Sequence, residues 1–390
     1  MFWREPLFNE DLLWGLDFEA SSYCNAKCPL CVRHVDGSPI LNPHLQQVNI
    51  TLQNIKDWFP LEVVKKVGKL SFCGNYGDSC MTPELINIIN YFKNYGPAPT
   101  VIRTNGGPRN VQFWKEIGKI CDTTVFSVDG LKDTNHLYRI GVNWDKVVRN
   151  MRACVESANE FGNKVEWEFL IFKHNAHQVE EAKQLCIDLG IHTIQFKRPV
   201  GMDHHNSKEH PSFIVRDKTG VPKYTLDLSE EHYLEGYSPV LKNIEDVGKV
   251  DIKKTYEYLK NNKKEELDFN NYKELEDCNI NCKMNKTSGE QRVVDMFIAA
   301  TGDLLPCCFI ATDYQNPHSE TYKQLQKYLP IEKVSLHNNK FENILELFDN
   351  NISSNWNSKH EEGKLIKCSQ ICGTFNTLNK SFYNKERVSF

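Results

Sequence analysis

The sequence predicts an α/β chain in which six strand–helix units build a partial (β/α)6 barrel, followed by a cysteine-rich C-terminal module. Three observations carry that expectation. Short apolar runs recur through the first 200 residues, patterns of helical period lie between them, and the cysteines cluster at 24, 28 and 31 and again at 278, 282, 307, 308, 368 and 372.

The elements follow in chain order. "GLDFEAS" (Gly15–Ser21), "KLSFCG" (Lys69–Gly74), "TVIRTNG" (Thr100–Gly106), "TTVFSVDG" (Thr123–Gly130), "KVEWEFLIFK" (Lys164–Lys173) and "HTIQFKR" (His192–Arg198) each read as strands. Helical patterns fit Thr82–Tyr95, Asp145–Phe161 and Gln178–Leu189. In the second of these, Val148, Met151, Val155 and Ala158 share a face, Asp145 can cap the start and Gly162 follows the end. Repeated strand–helix units imply parallel strands joined by right-handed crossovers, and six of them make three-quarters of the eight-stranded barrel; a flat, doubly wound sheet is the alternative. Residues 1–200 form this barrel. Residues 201–277 turn polar and charged and read as a linker or lid with one or two helices, placing His204, His205 and His210 in solvent and Lys253–Glu266 on an exposed helix. Residues 278–390 form the terminal module, in which "VVDMFIAATGDLLPCC" reads as a β-hairpin.

Bulk properties narrow the class. A chain of 390 residues, 40% hydrophobic and 25% charged, buries one large core or two smaller ones. A net charge of −4 disfavours nucleic acid as a general partner. No basic leader with an apolar run opens the chain and no stretch approaches the length of a membrane span, so a soluble, cytoplasmic protein without a membrane partner is expected. The 14 cysteines are not a secreted disulfide framework on this reading. Cys154 and Cys186 fall on apolar helix faces and belong to packing.

The stretch "SYCNAKCPLCVR" (Ser22–Arg33) sets three cysteines just past the first strand, at the barrel end where chemistry gathers. Three thiolates can hold three irons of a [4Fe-4S] cube and leave the fourth for a ligand that is not protein. A zinc site with His34 as fourth ligand, or plain buried thiols, are the competing readings, although C-x3-C-x2-C-x2-H departs from the usual paired zinc spacings.

This spacing and position resemble the radical S-adenosylmethionine (SAM) superfamily, in which SAM chelates the fourth iron. The resemblance spans about 200 residues and implies further contacts. "FCGNYGDSC" stands where that family carries its SAM-amino segment, so Gly74, Asn75, Tyr76, Gly77 and Asp78 inherit that role; a plain turn is the alternative. "TNGG" contributes Asn105, and "FSVDGLKDTNHLYRIG" implies SAM contacts from Ser127 and Arg139. Leu30 departs from the aromatic residue usual before the third cysteine, leaving an apolar adenine contact helped by Tyr23 or Phe196. Cys73 and Cys80 flank the SAM segment and are candidate catalytic thiols.

The C-terminal stretch from Cys278 resembles the SPASM auxiliary-cluster extension or its shorter twitch form: Gly302 and Cys307 match its Gly-x4-Cys hairpin, and "CSQIC" adds Cys368 and Cys372. The resemblance implies one auxiliary [4Fe-4S] cluster on Cys282, Cys307, Cys368 and Cys372, with Cys278 and Cys308 as alternates; structural zinc on the same thiolates is the rival. The implied activity is an oxidoreductase or modifying enzyme that cleaves SAM reductively to a 5'-deoxyadenosyl radical and takes hydrogen from a peptide or protein substrate. A flavodoxin- or ferredoxin-type protein would donate the electron. A dehydrogenase acting on an amino-sugar or nucleotide is the alternative, and a non-catalytic zinc or electron-transfer protein a remote one. About fourteen residues precede the first strand, so a separate recognition chain or direct binding is expected for a peptide.

Overall fold

The computed structural model of the chain describes residues 13–199, 212–229, 249–261, 269–282, 285–288, 291–317, 319, 321–374 and 386–389. The six expected strands are present: β1 (Leu13–Phe18), β2 (Val67–Phe72), β3 (Thr100–Thr104), β4 (Thr123–Ser127), β5 (Lys164–Leu170) and β6 (Thr193–Lys197). They lie parallel and in chain order across the sheet. That order rules against the doubly wound alternative. Right-handed crossovers that always step the same way put every helix on one face, which is barrel winding.

Side-chain alternation fits this. Phe18, Phe72, Ile102, Phe126, Trp167, Phe169 and Ile194 are fully buried under the helix layer. The opposite face carries Asp17 beside Ser71, Arg103 beside Val125, and Ser127, Glu168 and Gln195 in a row. The core begins with Phe18, which packs on Phe59, Phe72 and Phe92 at ring separations of 5.7 to 5.8 Å.

β1, β3 and β4 end where a polar side chain turns to bond a loop, two or three residues earlier than the apolar runs suggest. Glu19, Asn105 and Asp129 all lie just past strand ends, and their side chains accept from, or donate to, groups beyond their own strands. The helix Trp144–Phe161 is capped by Asn143, whose side chain accepts from Lys146 N, and not by Asp145, which sits in the first turn. Its buried face runs through Val147, Met151, Cys154, Val155 and Ala158, and Gly162 closes it at φ +74°.

The charged region is more than a linker. β7 (Ser212–Arg216) and β8 (Pro222–Asp227) form an antiparallel hairpin that buries Phe213, Val215 and Leu226. It docks on the barrel: Arg216 N donates to Gly37 O, Tyr224 Oη donates to Leu137 O at 2.6 Å, and Leu228 bridges Phe172. Alternation in "SFIVR" and "YTLDL" was the missed signal, masked by the surrounding charge. Ile252–Asn261 is an exposed helix anchored by Ile252, whereas residues 262–266 of that charged run and His204, His205 and His210 lie outside the described residues.

β10 (Gln291–Ile298) and β11 (Leu304–Leu305) supply the expected hairpin, with Gly302 turning the chain at φ +85°, and β9 (Asn285–Ser288) pairs antiparallel with β10 ahead of it. β10 also pairs in parallel with β1 along its length, from Leu13↔Val293 to Phe18↔Ile298. At the other edge β12 (Glu386–Ser389) pairs antiparallel with β6. Among the described residues, no helix is long and apolar enough to cross a membrane.

Candidate functional site

Cys24, Cys28 and Cys31 line one cavity of about 310 Å³ at the C-terminal ends of β1 to β5. Gly74, Asn75, Tyr76, Gly77, Asp78, Asn105, Ser127 and Arg139 line it with them. Among the described residues no three His, Cys, Asp or Glu side chains converge tightly enough for a single metal ion. The three thiols stand around the wall of that cavity. His34, the ligand a zinc site would need, holds Nδ1 at 3.3 Å from the Cys28 carbonyl, and burial lowers it to about 4.

Loop 74–78 is held from two sides. Glu19 Oε1 accepts from Tyr76 N at 2.5 Å and Gly77 N at 2.9 Å, while Arg33 Nη1 donates to Tyr76 O at 2.7 Å and also to Ser22 O. The approach leaves no space for side chains: a Cβ on Gly77 would stand 1.9 Å from Ser21 O, and one on Gly74 2.2 Å from Gly77 O. Neither Glu19 nor Arg33 belongs to a recognisable motif. Their signal in sequence was only a charge where a strand and a cysteine loop end.

Asp78 behaves differently from its sequence assignment. Its Oδ2 accepts from Thr104 Oγ1, Asn105 N and Asn105 Nδ2 at 2.8 to 2.9 Å, and Oδ1 accepts from Cys80 N. With both oxygens engaged, it organises the β3 loop and offers little to an ammonium. Asn105 Nδ2 in turn reaches Asn25 Oδ1 at 3.0 Å and Cys24 Sγ at 3.7 Å.

Arg139 connects the cysteine loop to the end of β4. Its Nε donates to Asp129 Oδ2 at 2.6 Å and its Nη1 to Cys28 Sγ at 3.7 Å, while Asp129 Oδ1 accepts from Leu170 N. Burial works against the Arg139 charge, but Asp129 and Cys28 outweigh it and raise the guanidinium further. It is therefore a permanent cation beside a cysteine sulfur.

The thiols themselves are pushed up, first by burial: Cys24 to about 12, Cys31 to about 11, and Cys28 upward despite Arg139. Three neutral thiols line the cavity at neutral pH, and any metal that takes them as thiolates must release their protons.

Other assigned residues scatter. Leu30 packs against the core and does not line the cavity. Phe196 does not line it; its ring meets Phe169 in a tilted contact at 5.5 Å, under Lys183. Cys80 is fully buried between Asp78, Thr104 and Cys121 and does not reach the cavity. Cys73 does line it, close to Asp17, Arg103 and Cys308, and burial raises its thiol. Beneath it the barrel interior is charged: Glu168 meets Arg103 at 3.7 Å and Lys197 more closely, Lys69 meets Asp295 at 3.0 Å, and Asp17 is raised by burial to about 6.

In the C-terminal module the adjacent cysteines part company. Cys307 Sγ caps the helix Cys308–Tyr314, accepting from Ile310 N, and lies near Cys368 and Cys372. Cys308 faces the barrel, near Asp17 and Asp295, while Asn75 Nδ2 donates to its carbonyl at 2.9 Å. Cys368 and Cys372 lie one turn apart on the helix Ile366–Cys372. Cys278 stands beside Cys368, its Sγ 2.7 Å from where a Gly373 Cβ would be. Lys364 Nζ holds that segment through the carbonyls of Glu276 and Cys278, each at 2.6 Å. Cys282 follows Asn281, whose N donates to Cys372 O at 2.8 Å.

No family model matches this sequence, and no curated protein matches it. Several solved structures share a low similarity with the chain. Streptococcus suis SuiB bound to S-adenosylmethionine is 17% identical over 82% of this chain and 68% of its own, with a TM-score of 0.40. The structure of anSMEcpe with bound AdoMet and Kp18Cys peptide is 15% identical over 87% of this chain and 81% of its own, with a TM-score of 0.45. Archaeal TYW1 is 16% identical over 35% and 44%, at 0.26.

Proposed function

We propose that the chain is a radical SAM enzyme that modifies a peptide or protein, with Cys24, Cys28 and Cys31 holding a [4Fe-4S] cluster whose fourth iron takes SAM. The observation that carries this is the convergence of the three thiols with Gly74–Asp78, Asn105, Ser127 and Arg139 on one cavity at the strand ends. When bound, cluster and SAM supply one-electron cleavage of the sulfonium and removal of a hydrogen atom from substrate.

The chain's own residues prepare that site. Arg139 offsets the negative charge of Cys28 when its proton is lost, and Asn105 Nδ2 donates toward Cys24; donors to cluster sulfurs of this kind tune reduction potential. Glu19 and Arg33 fix the backbone of Gly74–Gly77 as a close-approach surface for SAM. Ser127 and Glu168, facing the same cavity, present a hydroxyl and a carboxylate toward the barrel interior, where the substrate would enter.

In the module, Cys307, Cys368 and Cys372 with Cys278 would hold a second [4Fe-4S] cluster with full protein ligation, so that it serves electron transfer. The resemblance of this segment to the SPASM extension favours a peptide or protein substrate, and its resemblance to the shorter twitch form keeps an amino-sugar or nucleotide as the alternative. Replacing Cys24, Cys28 and Cys31 together by Ala should remove about four irons per chain, by the stoichiometry of one cube, and abolish formation of 5'-deoxyadenosine. Iron analysis and product assay on the anaerobically reconstituted protein test this, and retained SAM cleavage in the triple variant would refute it.

A further inference from the structure

The wall of the cysteine cavity carries five charged side chains, those of Arg33, Asp78, Arg103, Arg139 and Glu168. Four of them have close partners. Arg33 donates to the carbonyls of Ser22 and Tyr76, Arg139 to Asp129 and toward Cys28 Sγ, and Asp78 accepts from Cys80, Thr104 and Asn105. Glu168 Oε1 takes the Lys197 ammonium.

Arg103 differs from the other four. Its ionic contact, Nε to Glu168 Oε1, is 3.7 Å long, beyond hydrogen-bond reach. Among the described residues no hydrogen bond uses either of its terminal nitrogens. The side chain keeps 40% of its surface accessible and lines the cavity, so the donors are open to whatever occupies that space. A guanidinium presents its N–H donors as a flat fork that matches the two oxygens of a carboxylate.

Depth separates Arg103 from the residues assigned to SAM. Gly74–Asp78, Asn105 and Arg139 lie past the strand ends, whereas Arg103 lies within β3, two residues before Asn105 and on the same face. It pairs with Val125, two residues before Ser127, and so stands one layer further into the barrel, near Cys73 and Glu168. The carboxyls within electrostatic reach are Glu168, Asp17 and Glu166, of which the last two do not line the cavity. Glu168 is balanced by Lys197, and Lys69 stands near Asp17.

We propose that Arg103 is a specificity-determining residue whose guanidinium fork binds a carboxylate of the substrate, either the side chain of an Asp or Glu or the terminus of a peptide chain. A cationic group would have to compete with Lys197 and Arg103 for Glu168. An apolar group would cover the fork and leave its donors unpaired. The inference rests on the reading of this cavity as a SAM and substrate site, and adds to it the chemical class of the group that is held.

Isothermal titration calorimetry on the full, anaerobically reconstituted chain with SAM present tests it with four probes. These are acetyl-Gly-Glu-Gly-amide, its Gln counterpart, acetyl-Gly-Gly-Gly with a free terminal carboxylate, and the amide of that peptide. At least one carboxylate probe should bind about tenfold or more tightly than its neutral counterpart, the effect of one charge-assisted hydrogen bond. Preference within the first pair alone assigns an acidic side chain, within the second alone a chain terminus, and both support the site. Arg103→Gln should remove the preference, and Arg103→Lys, which keeps the charge without the fork, should leave an intermediate one. Iron content and formation of 5'-deoxyadenosine report on the SAM reading separately, so either reading can fail without the other. Equal affinity for charged and neutral probes, no binding of either carboxylate, or an unchanged preference in Arg103→Gln would overturn the inference. So would a loss of SAM affinity in Arg103→Gln as large as the loss for the probe, which would put the guanidinium on SAM itself.

Discussion

The two cysteine groups differ in how they are built. Cys24, Cys28 and Cys31 lie on one loop, and their partners arrive from strand ends that the barrel stacks side by side. Cys278, Cys307, Cys368 and Cys372 are spread over some ninety residues and meet only because the β10–β11 turn and the helix Ile366–Cys372 pack together. The first group is dressed with donors to sulfur, Asn105 and Arg139, and with a clamped loop. The second is held by backbone contacts and by Lys364. A local group announces itself by spacing, whereas a dispersed one depends on the fold for its ligand set.

The comparison breaks most sharply through the ligands. Cys368→Ala with Cys372→Ala should lower iron from about eight to about four per chain, given four irons per cube, while uncoupled SAM cleavage survives and substrate turnover fails. Iron and zinc analysis with Mössbauer spectroscopy reads this, and bound zinc in the unsubstituted chain would make the module structural. Single variants sharpen the ligand set. The Cys278 thiol lies beside Cys368 and is the proposed fourth ligand, so Cys278→Ala should lose the module cluster and Cys282→Ala should keep it. The opposite result would return the place to Cys282, as the resemblance implies.

Next in size is the cation beside Cys28. Arg139→Gln leaves Asp129, which is almost wholly buried, without its ion-pair partner. Breaking a buried pair costs about 3–5 kcal/mol, read by thermal or denaturant unfolding. SAM affinity should fall in the same variant. Lys364→Met should cost less, about 1–3 kcal/mol for the carbonyls it leaves unpaired, and should loosen the module cluster while leaving the barrel cluster intact.

The effect that needs no substitution is the pH dependence of the iron-free protein. Cys24 and Cys31 titrate near 12 and 11 in the folded chain, above the about 8.5 of a free thiol. The folded state therefore keeps protons that the unfolded chain gives up. The resulting stability is complete below about pH 8.5 and is lost as pH rises toward 11 and 12. Reconstituted protein, whose thiolates are already ionised, should not show that alkaline loss. Unfolding midpoints of both forms between pH 7 and 10.5 test the difference.

Much of the barrel was legible because its signals are local. Six apolar runs at strand length separated by helical patterns require parallel strands, and a triplet of cysteines after the first run places a site at the strand ends. The boundaries erred where Asn143 capped in place of Asp145 and where Glu19 and Asn105 drew the chain out of the strand early. The β7–β8 hairpin was missed because charge at its flanks hid the alternation of Phe213, Val215 and Leu226.

What the sequence by itself determined is the α/β class, the strand count, the loop that bears Cys24, Cys28 and Cys31, and the hairpin turning at Gly302. These follow from residue spacing along the chain. Only the tertiary structure decided that Asp78 spends its carboxylate on Thr104 and Asn105, that Glu19 and Arg33 clamp the loop it belongs to, that Cys308 faces the barrel while Cys307 faces Cys368, and that β10 lies against β1. Each of these pairs residues far apart in sequence. Their proximity is set by which buried polar groups can satisfy one another once the core has closed, and chain spacing carries no record of that.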